Sequence, residues 1–228
     1  MTRVPNYRTA AAYATVALLT AGLLGGCDST GAPQRATSSS KNSEAGGKAN
    51  PQAQRVLSTR LLEAALPDQH SVPVDLQARD RPRARGNGDT VHCVDEGWPD
   101  EWCGEALSVG SSAFAAMADQ EVVFRYISFP DSTTAARFFI GEGSPDEVGE
   151  DPPGDEIDAF DIDASSDVPP ILPGKGINVR QGNVIAKIEY RFDSTADIPS
   201  DRLQTLAAMV VQRIQQAQAG KPPTASAR

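Results

Sequence analysis

Residues 179–192 read VRQGNVIAKIEYRF. From Val184 onward apolar residues alternate with charged ones, which predicts a strand with one buried face. The Gln181-Gly182-Asn183 step before that strand supplies the glycine and asparagine that tight hairpins need at positive φ. Because residues 177–180 lead into this turn, the segment predicts an antiparallel hairpin.

The chain outside the hairpin adds further strands and helices. Residues 120–129 carry apolar side chains on both faces, which is typical of a central strand. Apolar residues recur at three- and four-residue spacing over 203–217, which predicts an amphipathic helix packed on a sheet. Shorter patterns predict helices at 55–66 and 132–139 and an edge or bulged strand at 157–164. We therefore predict an α+β fold, with an antiparallel sheet of about five or six strands covered by two or three helices.

The N-terminus has the parts of an export signal. Arg3 and Arg8 precede 15 uncharged residues at 10–24, a run shorter than the roughly 20 residues that span a bilayer. It ends in Leu24-Gly25-Gly26-Cys27, which resembles the bacterial lipobox, whose cysteine is acylated through its sulfur. We expect a signal peptide over 1–26 and a palmitate-type anchor on Cys27, holding the chain on the outer face of the cell membrane. The alternative is an uncleaved membrane helix, but the sequence turns polar directly after Cys27.

Composition predicts one domain between two flexible segments. Residues 27–54 are rich in Ser, Gly and Ala without an aromatic residue, which is typical of a disordered tether. Residues 55–217 have the length of a single α+β domain. We expect residues 218–228 to form a disordered tail.

The charge balance limits the classes of partner. The net charge is −9, and a phosphate-binding surface needs clustered Lys and Arg. The sequence therefore argues against nucleic acid or anionic lipid as the main partner, and indicates a solvated, acidic extracytoplasmic surface.

Two cysteines remain beside Cys27. Cys93 and Cys103 most simply form a disulfide in an exported protein. The segment between them holds both tryptophans, Trp98 and Trp102, together with four carboxylates. One interpretation makes it a binding loop with the rings as the contact surface. In the other interpretation, the rings cover the core beneath a loop that the disulfide closes.

No motif in the sequence predicts catalysis, a metal site or a cofactor. His92 lies beside Cys93, but a cysteine in a disulfide is neither a ligand nor a nucleophile. Residues 110–114 read GSSAF and do not match GxSxG, and neither CxxC nor HExxH occurs. We therefore expect no enzyme, no metal and no cofactor.

An acidic run at 142–167 contains 11 acids and no Lys or Arg. Asp161 and Asp163 begin a spacing similar to a calcium loop, but the sixth place is Ser166 instead of Gly and the twelfth is Leu172 instead of Glu. A solvated loop is the favoured interpretation, and weak binding of calcium or a cationic partner is the alternative.

With these residues placed, the chain resembles small actinobacterial lipoproteins and the extracellular sensor domains of receptor kinases. The likeness rests on the Cys93–Cys103 pair, on the strand and helix of 122–139, and on VRQGNV at 179–184. Those kinase sensor domains carry two disulfides, whereas this chain can form one and has no kinase domain. The resemblance implies a helix-covered antiparallel sheet and ligand sensing or cell-envelope binding.

These observations support three functional hypotheses. The first is a non-enzymatic ligand-binding or sensing module, with an unknown envelope ligand entering between sheet and helices or meeting the loop at 98–102. The second is an accessory protein that docks onto another envelope component. A hydrophobic cleft would favour the first and a flat exposed apolar patch the second. An enzyme is third, and His92 next to a carboxylate in a pocket would favour it.

Overall fold

A computed structural model describes residues 55–86, 90–116, 120–139, 153–164, 172–192 and 200–228, which belong to one compact unit. The predicted signal peptide, Cys27 and the predicted tether lie outside the described residues. So do residues 140–152 and 165–171, which make up much of the acidic run.

Seven strands form one antiparallel sheet within the described residues. They are β1 (Gln77–Ala78), β2 (Arg83–Gly86), β3 (Ser108–Ala116), β4 (Gln120–Ser128), β5 (Glu156–Ile162), β6 (Gly174–Gln181) and β7 (Val184–Phe192). The order is β1-β3-β4-β7-β6-β5, and β2 also pairs with β3. As predicted, β4 is central, with β3 and β7 as its neighbours.

Five helices accompany the sheet in the described ranges: α1 (Thr59–Ala65), α2 (Thr90–Asp95), α3 (Asp100–Glu105), α4 (Ser132–Phe138) and α5 (Ser200–Gln218). The predicted α+β class with an antiparallel sheet is confirmed, with somewhat more strands and helices than expected. None of the described helices is long and apolar enough to cross a membrane.

The predicted hairpin is formed by β6 and β7. Gln181 pairs with Val184 across the turn, where Gly182 has a φ of 60°. The apolar face of β7 is buried in one cluster with α1 and α5, as the alternation predicts. That cluster includes Val184, Ile188 and Leu206 of α5, all fully buried. The main core therefore lies between one face of the sheet and these two helices.

Residues 218–228, predicted from the sequence to be a disordered tail, are among the described residues and contact the domain. The helix continues to Gln218, and the chain then turns back along the domain. Ala227 donates its backbone N–H to the Ser71 carbonyl at 2.8 Å, and Arg213 of α5 donates from Nη1 to the Ala225 carbonyl at 3.2 Å. No apolar pattern in the sequence predicts these contacts, because most of them are hydrogen bonds to backbone groups.

Candidate functional site

The sheet face that points away from α1 and α5, called the open face below, carries most of the charged strand residues. Side chains alternate between the two faces of a strand, so residues between those of the main core point to the open face. Arg83, Ser111, Arg125 and Lys187 form one cross-strand row there. A half-buried polar surface therefore lies opposite the main core.

One end of the open face is covered by a second, smaller core. Val109, Ile127 and Ile185 are cross-strand neighbours and are buried with Cys93 and Cys103. The predicted disulfide is present and joins α2 to α3, with the two Cα atoms 5.7 Å apart. Because both helices are only 6 residues long, the covalent bond is a main constraint on their positions.

The two tryptophans lie in this second core. Trp98 is 4% exposed, and its ring stacks on that of Trp102 with centroids 5.6 Å apart. The half-buried Trp102 also contacts Phe129 and Phe138. This placement favours the core interpretation for Trp98, whereas part of Trp102 stays accessible.

A cleft of about 310 Å³ opens on the open face, beside the second core. Its lining residues are Arg83, Arg85, His92, Asp95, Glu96, Val109, Gly110 and Ser111. The arginines come from β2, while the histidine and the carboxylates come from α2 and the residue after it. The disulfide therefore constrains the helix that supplies two of the charged or ionisable lining residues, His92 and Asp95, and that leads directly into the third, Glu96.

The two arginines of the cleft differ from the other arginines of the sheet. Arg125, Arg180 and Arg191 each pair with a carboxylate. Arg83 and Arg85 are exposed, and neither guanidinium has an ion pair or hydrogen bond with the part of the chain that the structure describes. Two adjacent guanidinium groups at the cleft are therefore available to an external anion.

The carboxylates of the cleft are partly engaged. Ser111 donates its hydroxyl to Glu96 Oε1 at 3.0 Å, which fixes the orientation of that side chain. His92 Nδ1 lies 3.7 Å from Asp95 Oδ2. The criterion that would favour an enzyme, a histidine next to a carboxylate in a pocket, is therefore met by this pair.

An ion-pair network continues from the cleft along the open face. Glu189 is 6% exposed and contacts Arg125, Lys187 and Arg191. Burial by itself would raise the pKa of Glu189, but the three positive charges outweigh that effect and hold the pKa below its ordinary value. These cations are compensated inside the protein and differ in this respect from Arg83 and Arg85.

The cleft arginines do not stand out in the sequence, because they lie in the Pro- and Arg-rich segment at 68–88. Arginines at 79, 81, 83 and 85 do recur at every second position, which is the period of a strand. Pro82, which cannot donate a hydrogen bond to a neighbouring strand, and the lack of large apolar residues both argue against a strand when the sequence is considered alone. The described cleft lies between the strands β2 and β3 and the helix α2, on the face away from α1 and α5.

The acidic run is only partly described. Residues 156–162 of the run form β5 at the sheet edge, in agreement with the edge or bulged strand predicted at 157–164. Among the described residues no group of three or more His, Cys, Asp or Glu side chains could hold a metal ion. Most of the calcium-like spacing, from residue 165 to 171, lies outside the described residues.

Comparisons with known proteins identify no relative of this chain. Searches against protein-family models, curated proteins and solved structures find no match to this chain. The resemblance to actinobacterial lipoproteins and kinase sensor domains therefore stays a prediction.

Proposed function

We propose that the protein is a lipid-anchored, extracytoplasmic module that binds a small ligand without transforming it. The anchor would be the acylated Cys27 of the lipobox-like LGGC at 24–27. The binding site would be the cleft on the open face. A small domain on a tether of 28 residues at 27–54 would keep that cleft within a few nanometres of the membrane.

The observation that carries the binding function is the pair Arg83 and Arg85. Three other arginines of the sheet, Arg125, Arg180 and Arg191, are half-buried and pair with carboxylates. Arg83 and Arg85 have no partner among the described residues and line a cleft, and guanidinium groups are the donors that bind carboxylates and phosphates in proteins.

Docking onto an envelope protein is the second hypothesis, and it would rely on an apolar surface. The large hydrophobic side chains exposed on the described residues are Val56, Val74, Val94 and Leu107, which come from four separate segments. The cleft, by contrast, brings Arg83, Arg85, Asp95 and Glu96 together in one concave place. We favour a small ligand over a protein partner on this ground, and the ligand would be polar because the cleft is polar.

The contact between His92 and Asp95 is the observation that favours an enzyme. A hydrolase would need the histidine to accept a proton from a nucleophile. Ser111 is the hydroxyl of the cleft, and it gives its single proton to Glu96. Ser111 is thus not activated by His92 in this arrangement, and binding without turnover is the function we propose.

Membrane attachment is tested with Cys27→Ala. We expect the variant to be retained as precursor or released into the medium, because the acyl group would be the only durable attachment of the mature chain. Membrane fractionation with high-salt and carbonate washes measures this, and Cys27→Ser is a second variant that removes the same thiol. A variant bound as firmly as the wild type would contradict the lipoprotein assignment.

Ligand binding is tested by native mass spectrometry of the full chain purified from its own cell envelope. We expect a retained small molecule on the wild type that is lost from the double variant Arg83→Gln, Arg85→Gln. Arg81→Gln is the matched control, since Arg81 is an exposed neighbour in sequence that does not line the cleft. An empty wild-type protein, or a mass retained equally by the double variant, would contradict binding at this cleft.

A further inference from the structure

We infer that the cleft binds a small zwitterion, a free amino acid or a short peptide with both ends ionised. Its carboxylate would bind Arg83 and Arg85, and its ammonium group would bind the carboxylates of Glu96 and Asp95. This inference deepens the proposed function and rests on it.

The carboxylate end follows from the geometry of β2. Arg83 and Arg85 pair with Ser111 and Val109 of β3 and therefore point to the same face of the sheet. Their Cα atoms are about 7 Å apart, as expected for alternate residues of a strand. Two flexible guanidinium groups at this spacing can converge on one carboxylate, and each offers paired N–H donors that match its two oxygens.

The ammonium end follows from the carboxylates that share the cleft. Glu96 is oriented by the hydroxyl of Ser111 on Oε1, and Oε2 has no hydrogen-bond partner among the described residues. Asp95 lies next to it in sequence and also lines the cleft. An ordered carboxylate with a free oxygen is a suitable acceptor for an ammonium group.

A ligand with one charge fits this cleft less well. A simple anion would be attracted by Arg83 and Arg85 but repelled by Asp95 and Glu96. A simple cation would be attracted by the two carboxylates but repelled by the two arginines. A ligand with both charges satisfies both sets at once. The volume of about 310 Å³ lies at the lower end of the usual range for ligand pockets, which indicates a compact molecule.

The test uses diglycine as an achiral probe and two capped forms that each remove one charge. N-Acetyl-diglycine keeps the carboxylate and lacks the ammonium group, and diglycine amide has the opposite pattern. Binding to the full chain is followed by NMR, through the Nε–Hε signals of Arg83 and Arg85. We expect each cap to weaken binding about tenfold or more, the loss of one charge-assisted contact.

Two variants assign each charge to its partner. The double variant Arg83→Gln, Arg85→Gln should bind diglycine more weakly than the wild type does. Its affinity for diglycine amide, which lacks the carboxylate, should be little lower than its affinity for diglycine. In Glu96→Gln, the acetyl cap should likewise cause little further loss. The matched controls are Arg81→Gln and Glu63→Gln, two exposed residues that do not line the cleft, and they should bind diglycine like the wild type. Glycine and triglycine titrated beside diglycine distinguish a free amino acid from a peptide.

The outcomes separate the inference from the function on which it rests. Equal affinity for diglycine and its acetyl form would reveal an anion site, and equal affinity for the amide would reveal a cation site. Either result overturns the inference but keeps a ligand-binding cleft. If a ligand is retained from the envelope and none of the glycine probes binds, the ligand class is wrong. If nothing is retained and nothing binds, the proposed function fails as well.

Discussion

At the scale of single residues, two buried charges are stabilised in different ways. Arg213 is 3% exposed and donates only to backbone carbonyls, those of Ala64, Ala65 and Leu66 at the end of α1 and that of Ala225 in the tail. Those carbonyls at the helix end are otherwise unsatisfied, and they carry partial negative charge. Glu189 is compensated by three cations instead. Both charges therefore join segments that are distant in sequence.

Glu189→Gln should destabilise the protein at neutral pH, because it leaves Arg125, Lys187 and Arg191 to repel one another. These partners are partly exposed, so we expect a loss of about 2 kcal/mol, less than for a fully buried pair. The folded-state pKa of Glu189 is lowered, so its contribution is fully present above its unfolded pKa of about 4.3. That contribution is lost as the pH falls through the lower folded value.

Urea unfolding at pH 7, 5 and 3 measures this effect. The curves of the wild type and the variant should differ at pH 7 and approach each other at the acidic end. Glu63→Gln, an exposed change on α1, should leave the free energy of unfolding nearly unchanged at every pH. A constant difference between wild type and Glu189→Gln down to pH 3 would show that the charge of Glu189 is not the cause.

At the scale of elements, the short helices α2 and α3 depend on their neighbours more than on their own sequence. Helices of 6 residues are not stable alone in water. The disulfide joins them, and Trp98 and Trp102 pack them onto the sheet. The long α5 and the regularly alternating β7 are different, since their own patterns specify them.

The double variant Cys93→Ser, Cys103→Ser should therefore lower the free energy of unfolding by about 3 kcal/mol. The unfolded state regains the chain entropy that the disulfide removes by closing a loop from Cys93 to Cys103. Urea unfolding measures this loss, and reduction of the wild type should reproduce it. The control is the double variant under the same reductant, which should not change further. Full retention of stability would show that packing alone holds the two helices.

The difference between elements with a continuous pattern of their own and elements that depend on their neighbours explains which parts of the structure could be predicted. The hairpin β6–β7, the central β4 and helix α5 each have a continuous pattern of buried residues, so the sequence was sufficient for them. Residues 83–86, RARG, have no such pattern, and they become a strand because β3 offers an unpaired edge. The cleft needs this strand beside α2, a contact between segments that no local pattern encodes. Of the site, only the cysteine pair was therefore predictable.

Over the whole domain, the first part of the described chain is linked to the last. The tail contacts residues 69–71, where Ala227 bonds to Ser71 and Arg228 to the Gln69 carbonyl at 3.3 Å. The side chain of Arg55 lies against Gly220, whose φ is +71°. The first described residue thus lies beside the turn that follows α5.

Ending the chain after Lys221 should lower the free energy of unfolding by about 1 to 3 kcal/mol, because Arg213 loses the Ala225 carbonyl and keeps a buried donor without its partner. Thermal and urea unfolding measure this. Removal of Arg228 alone is the control and should have a small effect, since its contact is exposed. A truncated chain as stable as the wild type would show that the tail contacts do not stabilise the domain, as expected for the disordered tail predicted from the sequence.

If the chain is exported as we propose, the disulfide beside the cleft forms only after the chain leaves the cytosol, because thiols stay reduced in the cytosol and are oxidised outside it. A newly made precursor would then lack the bond between α2 and α3, and Asp95 and Glu96 would be held less firmly opposite the arginines. We therefore expect such a precursor to bind cytosolic amino acids or peptides weakly. The cleft would respond mainly to what is found on the outer face of the membrane.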